Sequence, residues 1–154
     1  MDIEVTSDTK LLDQLMNGLS KEKKIDIGIF GNSIAEIAHD MEFGKPNSYI
    51  PQLHKTVNIP PRSFLQVPIQ EELAPNMPKK LDEEKMVRFG MNHVAKTIKD
   101  EALNVVKATF HNEGYGDWAD NDPEWKEYKR EHGYDEKVLG YTDAMQEAIE
   151  GKCH

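Results

Sequence analysis

Two adjacent prolines, Pro60 and Pro61, constrain this chain more than any other feature. Each fixes its own φ and lacks an N–H donor, so a strand arriving there must leave its sheet. Thr56 to Ile59 is that strand, and the prolines demote it to an edge or an end. Upstream, Ile34, Ile37, Ala38 and Met41 fall at i, i+3, i+4 and i+7, which predicts a short helix over 34–43 with one apolar stripe. Asn32 or Ser33 can cap its start, and Gly44 can stop it by taking a left-handed conformation. After the prolines, Ser63 is placed to cap a helix over 63–73 carrying Phe64, Leu65, Ile69 and Leu73, which Pro68 must interrupt or shift.

The rest of the chain follows the same logic. Leu11, Leu12, Leu15, Met16 and Leu19 make an apolar face for a helix over 7–19. Ile25, Ile27 and Ile29 alternate with Asp26 and Gly28, the period of a half-buried strand. Residues 45–54 hold Pro46, Asn47, Ser48 and Pro51 and are expected as a loop. The longest helical pattern runs from Leu81 to His111, with Asp82 as its cap and Gly90 as a weak point costing about 1 kcal/mol relative to alanine. Residues 112–122 are glycine-rich and polar, a loop ending at Pro123, a good first residue for a helix that bears Trp125, Tyr128 and Lys129 and ends near Gly133. Val138 and Leu139 are expected to be buried in the connection that follows, and residues 142–150 form a last helix with Ala144, Met145, Ala148 and Ile149 inward. About five helices and two or three strands without βαβ alternation predict an α+β fold: a small antiparallel or mixed sheet with one long helix packing on it.

At 154 residues the chain is long enough for one domain with its own core. No segment approaches the roughly 20 apolar residues of a membrane span, and the N-terminus lacks the basic and apolar regions of a signal peptide. The one cysteine, Cys153, excludes an internal disulfide framework and fits a reducing compartment. A formal charge of −9 argues against a protein that coats nucleic acid. The histidines show neither zinc-finger nor HExxH spacing, so no metal or cofactor is expected. Asp117, Asp120, Asp122 and Glu124 have some look of a calcium loop, but Pro123 sits among them and the glycine of an EF-hand is missing. Gly28 and Gly31 are too few for a phosphate loop, and GxSxG and Ser–Lys motifs are missing. No catalytic residue is therefore assigned. Arg62 is held between rigid prolines and a helix start, where it can clamp a loop within one subunit or bridge two subunits.

Glu42-Phe43-Gly44, followed by Pro60-Pro61-Arg62 and Phe64-Leu65, resembles a paired signature of tailed bacteriophages. In that family an "EFG" ends a helix and an "IPxRPFL" opens the next. The segment from Trp125, Tyr128 and Lys129 through Val138-Leu139 to Thr142–Ile149 resembles the family's "W…Y…K…iL…TGaLr.SI". The pieces keep their order across residues 25–149. Met41 stands where a histidine is frequent, Ser63 for a proline and Asp143 for a glycine, and the chain stops where many relatives continue into a further strand.

The resemblance implies a neck, tail-completion or head–tail joining protein of the virion, assembled in the host cytoplasm. It implies a small α+β subunit forming a homo-oligomeric ring, usually a hexamer, that meets the head–tail connector and tail tube proteins. DNA would pass through the channel without specific binding, and no catalysis is implied. The interface and motif residues that it marks are Glu42, Phe43, Gly44, Pro60, Pro61, Arg62, Phe64 and Leu65. From another class, a small metal-dependent hydrolase using residues 117–124 with His111 stays open, as does a monomeric binding adaptor.

Overall fold

The computed structural model describes residues 13, 16–31, 33–138 and 144–154. Of the first expected helix, residues 16–19 are helical and the greater part lies outside the described residues. The candidate cap Asn32 and residues 139–143 lie outside them too. The architecture is α+β, and among the described residues it has two separate two-stranded antiparallel sheets in place of one small sheet.

Strand β1 (Ile25–Gly28) pairs with β4 (Glu150–Cys153), Ile25 opposite Cys153 and Gly28 opposite Glu150. This corrects the reading of the C-terminus: among the described residues the last helix, α6, is Ala144–Glu147 and stops short of Glu150, and the further strand expected to be missing is present. Glycine explains the change. The Cα of Gly151 lies against Ile27 and Lys99, where a Cβ would come within 2.9 and 2.6 Å of their side chains, so the segment fits closely between β1 and the long helix.

Helix α1 (Ser33–Phe43) follows β1. Ala38 belongs to the buried core, and Ile34 and Met41 pack against it. Ile37, expected on the same stripe, is 54% exposed. Gly44 turns the chain with φ 78°, and residues 45–54, expected as a loop, form a strand and a tight turn. Strand β2 (Lys45–Ile50) pairs with β3 (Lys55–Ile59), with one extra residue of β2 between Lys45 and Ser48. Such a bulge lets a strand contain Pro46 and Asn47, because the extra residue does not have to join the ladder. Asn47 takes a positive φ of 53° there, and its N–H donates to Asn58 Oδ1 at 2.9 Å. A 3₁₀ turn over Pro51–Leu53 and His54 at φ 50° close the hairpin.

Helix α2 starts later than Ser63, at Gln66–Pro68, and continues as a wide π turn over Ile69–Leu73. Pro68 sits in the first turn, where no intrahelical donor is needed. The long pattern over 81–111 divides at Gly90 into α3 (Glu83–Phe89) and α4 (Met91–His111). Gly90 has φ 59°, and its backbone meets that of Gly18 so closely that a Cβ on Gly90 would lie 2.6 Å from Gly18 Cα. Only a residue without a Cβ fits that contact. Asp82 caps α3 as expected, accepting from the Lys85 N–H at 3.0 Å.

Helix α4 spans 21 residues, about 31 Å, and buries Ala95, Ala102, Val106, Thr109 and Phe110. It packs on β1 and β4 along one part and on the π turn along another. The core joins Val106 and Phe110 with Ala38, Phe64, Met145 and Ile149. Phe64 and Phe110 lie 5.3 Å apart between ring centres, and Trp118 meets Phe110 edge-on at 5.8 Å. Helix α5 (Pro123–Glu131) begins at the expected proline, with the Asp122 carboxylate accepting from Glu124 N–H. Val138 is buried as expected.

Candidate functional site

The marked residues converge on one clamp where α1 ends and α2 begins. Glu42 is only 6% exposed, although it is charged. Its carboxylate accepts the Ser63 hydroxyl at 2.6 Å and the backbone N–H groups of Phe64, Leu65 and Gln66 at 2.8, 3.0 and 3.0 Å. The next N–H, of Val67, is taken by Ser63 Oγ at 3.0 Å. Four successive donors at a helix start have no intrahelical partner, and here two side chains satisfy all four. A carboxylate at a helix N-terminus also meets the positive end of the peptide dipoles.

Gly44 and the prolines fix the second contact. A Cβ on Gly44 would stand 2.8 Å from Ile59 O and 2.9 Å from Pro61 N, so the chain leaving α1 and the chain leaving β3 touch backbone to backbone. Arg62 N–H donates to Met41 O at 2.8 Å, tying the two together. Phe64 is fully buried and Leu65 packs on the core from the side. Phe43 is exposed, with His39 stacked obliquely on it at 4.9 Å.

Arg62 takes the clamp reading within one chain. It is 5% exposed, and its Nε and Nη2 donate to the carbonyls of Ala119 and Asp120, both at 2.9 Å. Burial pulls its guanidinium below the ordinary arginine value, and the nearby Asp120 carboxylate opposes that shift. The fork therefore holds residues 119–120 against the exit of β3. Trp118 adds a third tie, its indole N–H donating to Ser63 O at 3.0 Å. Gly114 lies directly under the Trp118 ring with φ 70°, which leaves no room for a side chain.

The acidic loop is held by lysines. Lys55 reaches Asp122 at 3.1 Å and Glu124 at 3.0 Å, and Lys126 reaches Asp120 at 2.9 Å. The Asp120 carboxyl is drawn below its ordinary value by Lys126 and by the Asn121 N–H. Partial burial pushes the Asp122 carboxyl up, but Lys55 and the helix N–H groups outweigh it and the net direction is down. Among the described residues, no group of three or more His, Cys, Asp or Glu side chains is placed to hold a metal ion. His111 lies 3.5 Å from the Gln146 side chain.

Two features go beyond the sequence reading. The first is the partner of Lys129: on the inner edge of α5, where the sequence places it with Trp125 and Tyr128, it is 1% exposed, and its ammonium donates to Lys137 O at 2.7 Å. Burial lowers its pKa from the ordinary lysine value. The second is an open trough of about 550 Å³ between α1, the hairpin and α5, whose lining includes Ile37, Tyr49, Val57, Trp125 and Met145. The trough was hidden because it joins residues from five elements that no spacing rule connects. Among the described residues no helix is long and apolar enough to cross a membrane.

Comparison with protein-family models, with curated proteins and with solved structures found no match to this chain.

Proposed function

We propose that this chain is a structural subunit of the neck of a tailed bacteriophage, forming a homo-oligomeric ring, a hexamer, that completes the tail and joins it to the head connector. The observation that carries this reading is the Glu42 clamp. The two halves of the paired signature depend on each other physically: Glu42 of the first half satisfies the donors that Ser63, Phe64 and Leu65 of the second half present. A signature whose halves meet in one cap is what a common fold would keep together. The hairpin between the halves supports the reading as well. It is a two-stranded sheet, with strand edges of the kind that pair between subunits. The acidic charge of −9 suits a channel wall past which DNA slides without sticking. The acidic loop favours no hydrolytic reading, since Asp120 and Asp122 are each engaged by a lysine.

The test is assembly. Particles made without this protein are expected as filled heads and separate tails, or as overlong tails if the ring also terminates the tube. Light scattering of the purified chain, alone or mixed with tail tubes, is expected to show a ring-sized species. Normal infectious particles made without it would overturn the proposal.

A further inference from the structure

We propose that successive subunits of the ring join head to tail, with the basic segment 20–24 of one copy of this chain seated in an acid-rimmed hollow at the far end of α4 on the next. This rests on the ring reading and adds the two surfaces that meet. A head-to-tail contact uses two different patches of each subunit, and a constant rotation from copy to copy closes it into a ring. The patches have to be complementary and to lie apart on the subunit.

The hollow measures about 280 Å³ and lies beside the loop that leaves α4. Pro61, Val67 and Pro68 wall it together with the rings of Tyr115 and Trp118. Four successive residues, Glu113 to Gly116, take positive φ values from 53° to 85°, and this left-handed turn brings Tyr115 into the wall. The charged side chains in the lining are Glu71, Glu72 and Asp117, all acids. Their carboxylates are without an ion pair or hydrogen bond among the described residues. Asp120 and Asp122, by contrast, are held by Lys126 and Lys55. A carboxylate without a cation is ordinary on the open surface of an acidic chain. These three stand around apolar walls, and a group with an apolar stem and a cationic tip fits that combination. The stem of a lysine lies on proline and aromatic surfaces while its ammonium meets the carboxylates.

The other end of α4 carries such groups. Met91, the first residue of the helix, lies with Lys21, Lys23 and Lys24 around a second surface hollow. Glu22 is the one acid in that lining, and His154 belongs to it too. Lys24 is paired with Asp26, which His154 also meets. Lys21 and Lys23 are exposed and pair with nothing among the described residues. Lysines elsewhere, such as Lys45, Lys55, Lys96 and Lys126, are each engaged by an acid of the same chain. The 21 residues of α4, about 31 Å, separate the two surfaces, so they cannot neutralise each other within one copy. Between copies they can. Subunits of formal charge −9 repel one another in general, and a basic segment facing unpaired acids gives their approach one favoured orientation. Exposed ion pairs are weak one at a time, so the apolar walls and several charges act together.

The test uses the full chain, followed by light scattering at one concentration and one salt. Two variants reverse one surface each: Lys21→Glu with Lys23→Glu, and Glu71→Lys with Asp117→Lys. All four side chains are exposed and unpaired among the described residues, so the urea midpoints are expected to match wild type. Each variant alone sets like charges together, and its association is expected to weaken about tenfold or more. An equimolar mixture is expected to restore the ring, the two variants alternating around it, because every contact then joins opposite charges. Damaged folding would not recover on mixing. Rings formed by either variant as readily as by wild type, or a mixture that stays dissociated, would overturn this pairing of surfaces and leave the ring reading standing. A wild-type chain that stays monomeric both alone and with tail tubes would overturn both.

Discussion

Glu42 and Ser63, which lie 21 positions apart in the chain, share a 2.6 Å hydrogen bond between carboxylate and hydroxyl. The bond makes one cap out of two elements. Ser63 donates its proton to Glu42 and uses its oxygen lone pair for Val67 N–H, while Glu42 spends its remaining acceptor capacity on the next three backbone donors. The start of α2 is thus defined by a residue of α1, and the hairpin between them is held at both ends.

Removing the Glu42 carboxylate should be among the most damaging single changes in the protein. Glu42→Ala leaves the buried Phe64 N–H and the half-buried Leu65 N–H without acceptors, at about 1–3 kcal/mol each. Glu42→Gln keeps one acceptor oxygen but turns an N–H₂ group toward backbone donors, so it is expected to cost about half as much. Urea denaturation checks both, with midpoints falling in the order wild type, Gln, Ala. An unchanged midpoint for Glu42→Ala would show that water replaces the carboxylate.

Gly44→Ala tests the backbone contact beside that cap. At φ 78° a Cβ costs roughly 1–2 kcal/mol by itself. The same Cβ would press on Ile59 O and Pro61 N, which are backbone atoms unable to rotate away. The expected loss therefore exceeds the conformational term alone. Gly31→Ala serves as the control: its φ is 70° and nothing lies within 4 Å of the added Cβ, so only the conformational term should appear.

Arg62→Lys separates charge from geometry. Lysine keeps the positive charge but cannot reach the carbonyls of Ala119 and Asp120 together, because it lacks the planar fork. The segment 119–122 should then open more readily. Hydrogen exchange is expected to quicken there, with α4 unaffected. Unchanged protection of 119–122 would mean that Lys55 and Lys126 hold the loop without Arg62.

Much of the clamp was legible in the sequence because its parts are residues with restricted chemistry. Gly44, Pro60, Pro61 and Pro123 have few backbone options, so their places were readable. The strand over 56–59 was legible too, but its partner over 45–50 was not, since Pro46 and Asn47 carry loop signals and a bulge absorbs them only once β3 is alongside. Gly90 was seen as a weak point, but the break there depends on Gly18 arriving from far along the chain. Glu150 reads as the end of a helix and residues 151–153 as no element, because EGKC has no strand pattern and gains one only from β1. Glu42 was marked by resemblance, while the four bonds that it accepts needed coordinates.

Acid should loosen the loop face first. Asp82, Asp100, Asp120, Asp122 and Glu136 all have carboxyls drawn below their ordinary values, by backbone N–H groups or by neighbouring cations. A group with a depressed folded value contributes stability above its unfolded value and loses it as pH falls through the folded one. For the aspartates the ordinary value is 3.8, so the loss begins near there and deepens at lower pH. Stability measured in urea is expected to be flat around neutrality and to drop on acidification. Asp122→Asn should flatten part of that drop, and a variant with the same acid slope as wild type would count against the Lys55 pairing.

Lys129→Met is the inverse case, a charged group whose removal should cost little. The ammonium is buried and desolvated, with its folded pKa below the ordinary 10.5. Its direct bond goes to Lys137 O, and Lys137 is exposed, so water can take over that carbonyl. Methionine fills nearly the same volume and needs no solvation, and such replacements of buried charge are often neutral or stabilising. The variant is expected within about 1 kcal/mol of wild type, or above it, whereas Lys129→Ala leaves a cavity and loses about 2 kcal/mol or more. The sign with pH separates this from simple packing. In the unfolded chain Lys129 keeps its proton up to about 10.5, and in the fold it releases it earlier, so wild-type stability rises with pH in the window just below 10.5. Lys129→Met lacks that rise. If the two proteins keep a constant difference in stability across that window, the lysine is not held at a lowered value, and burial is not what perturbs it.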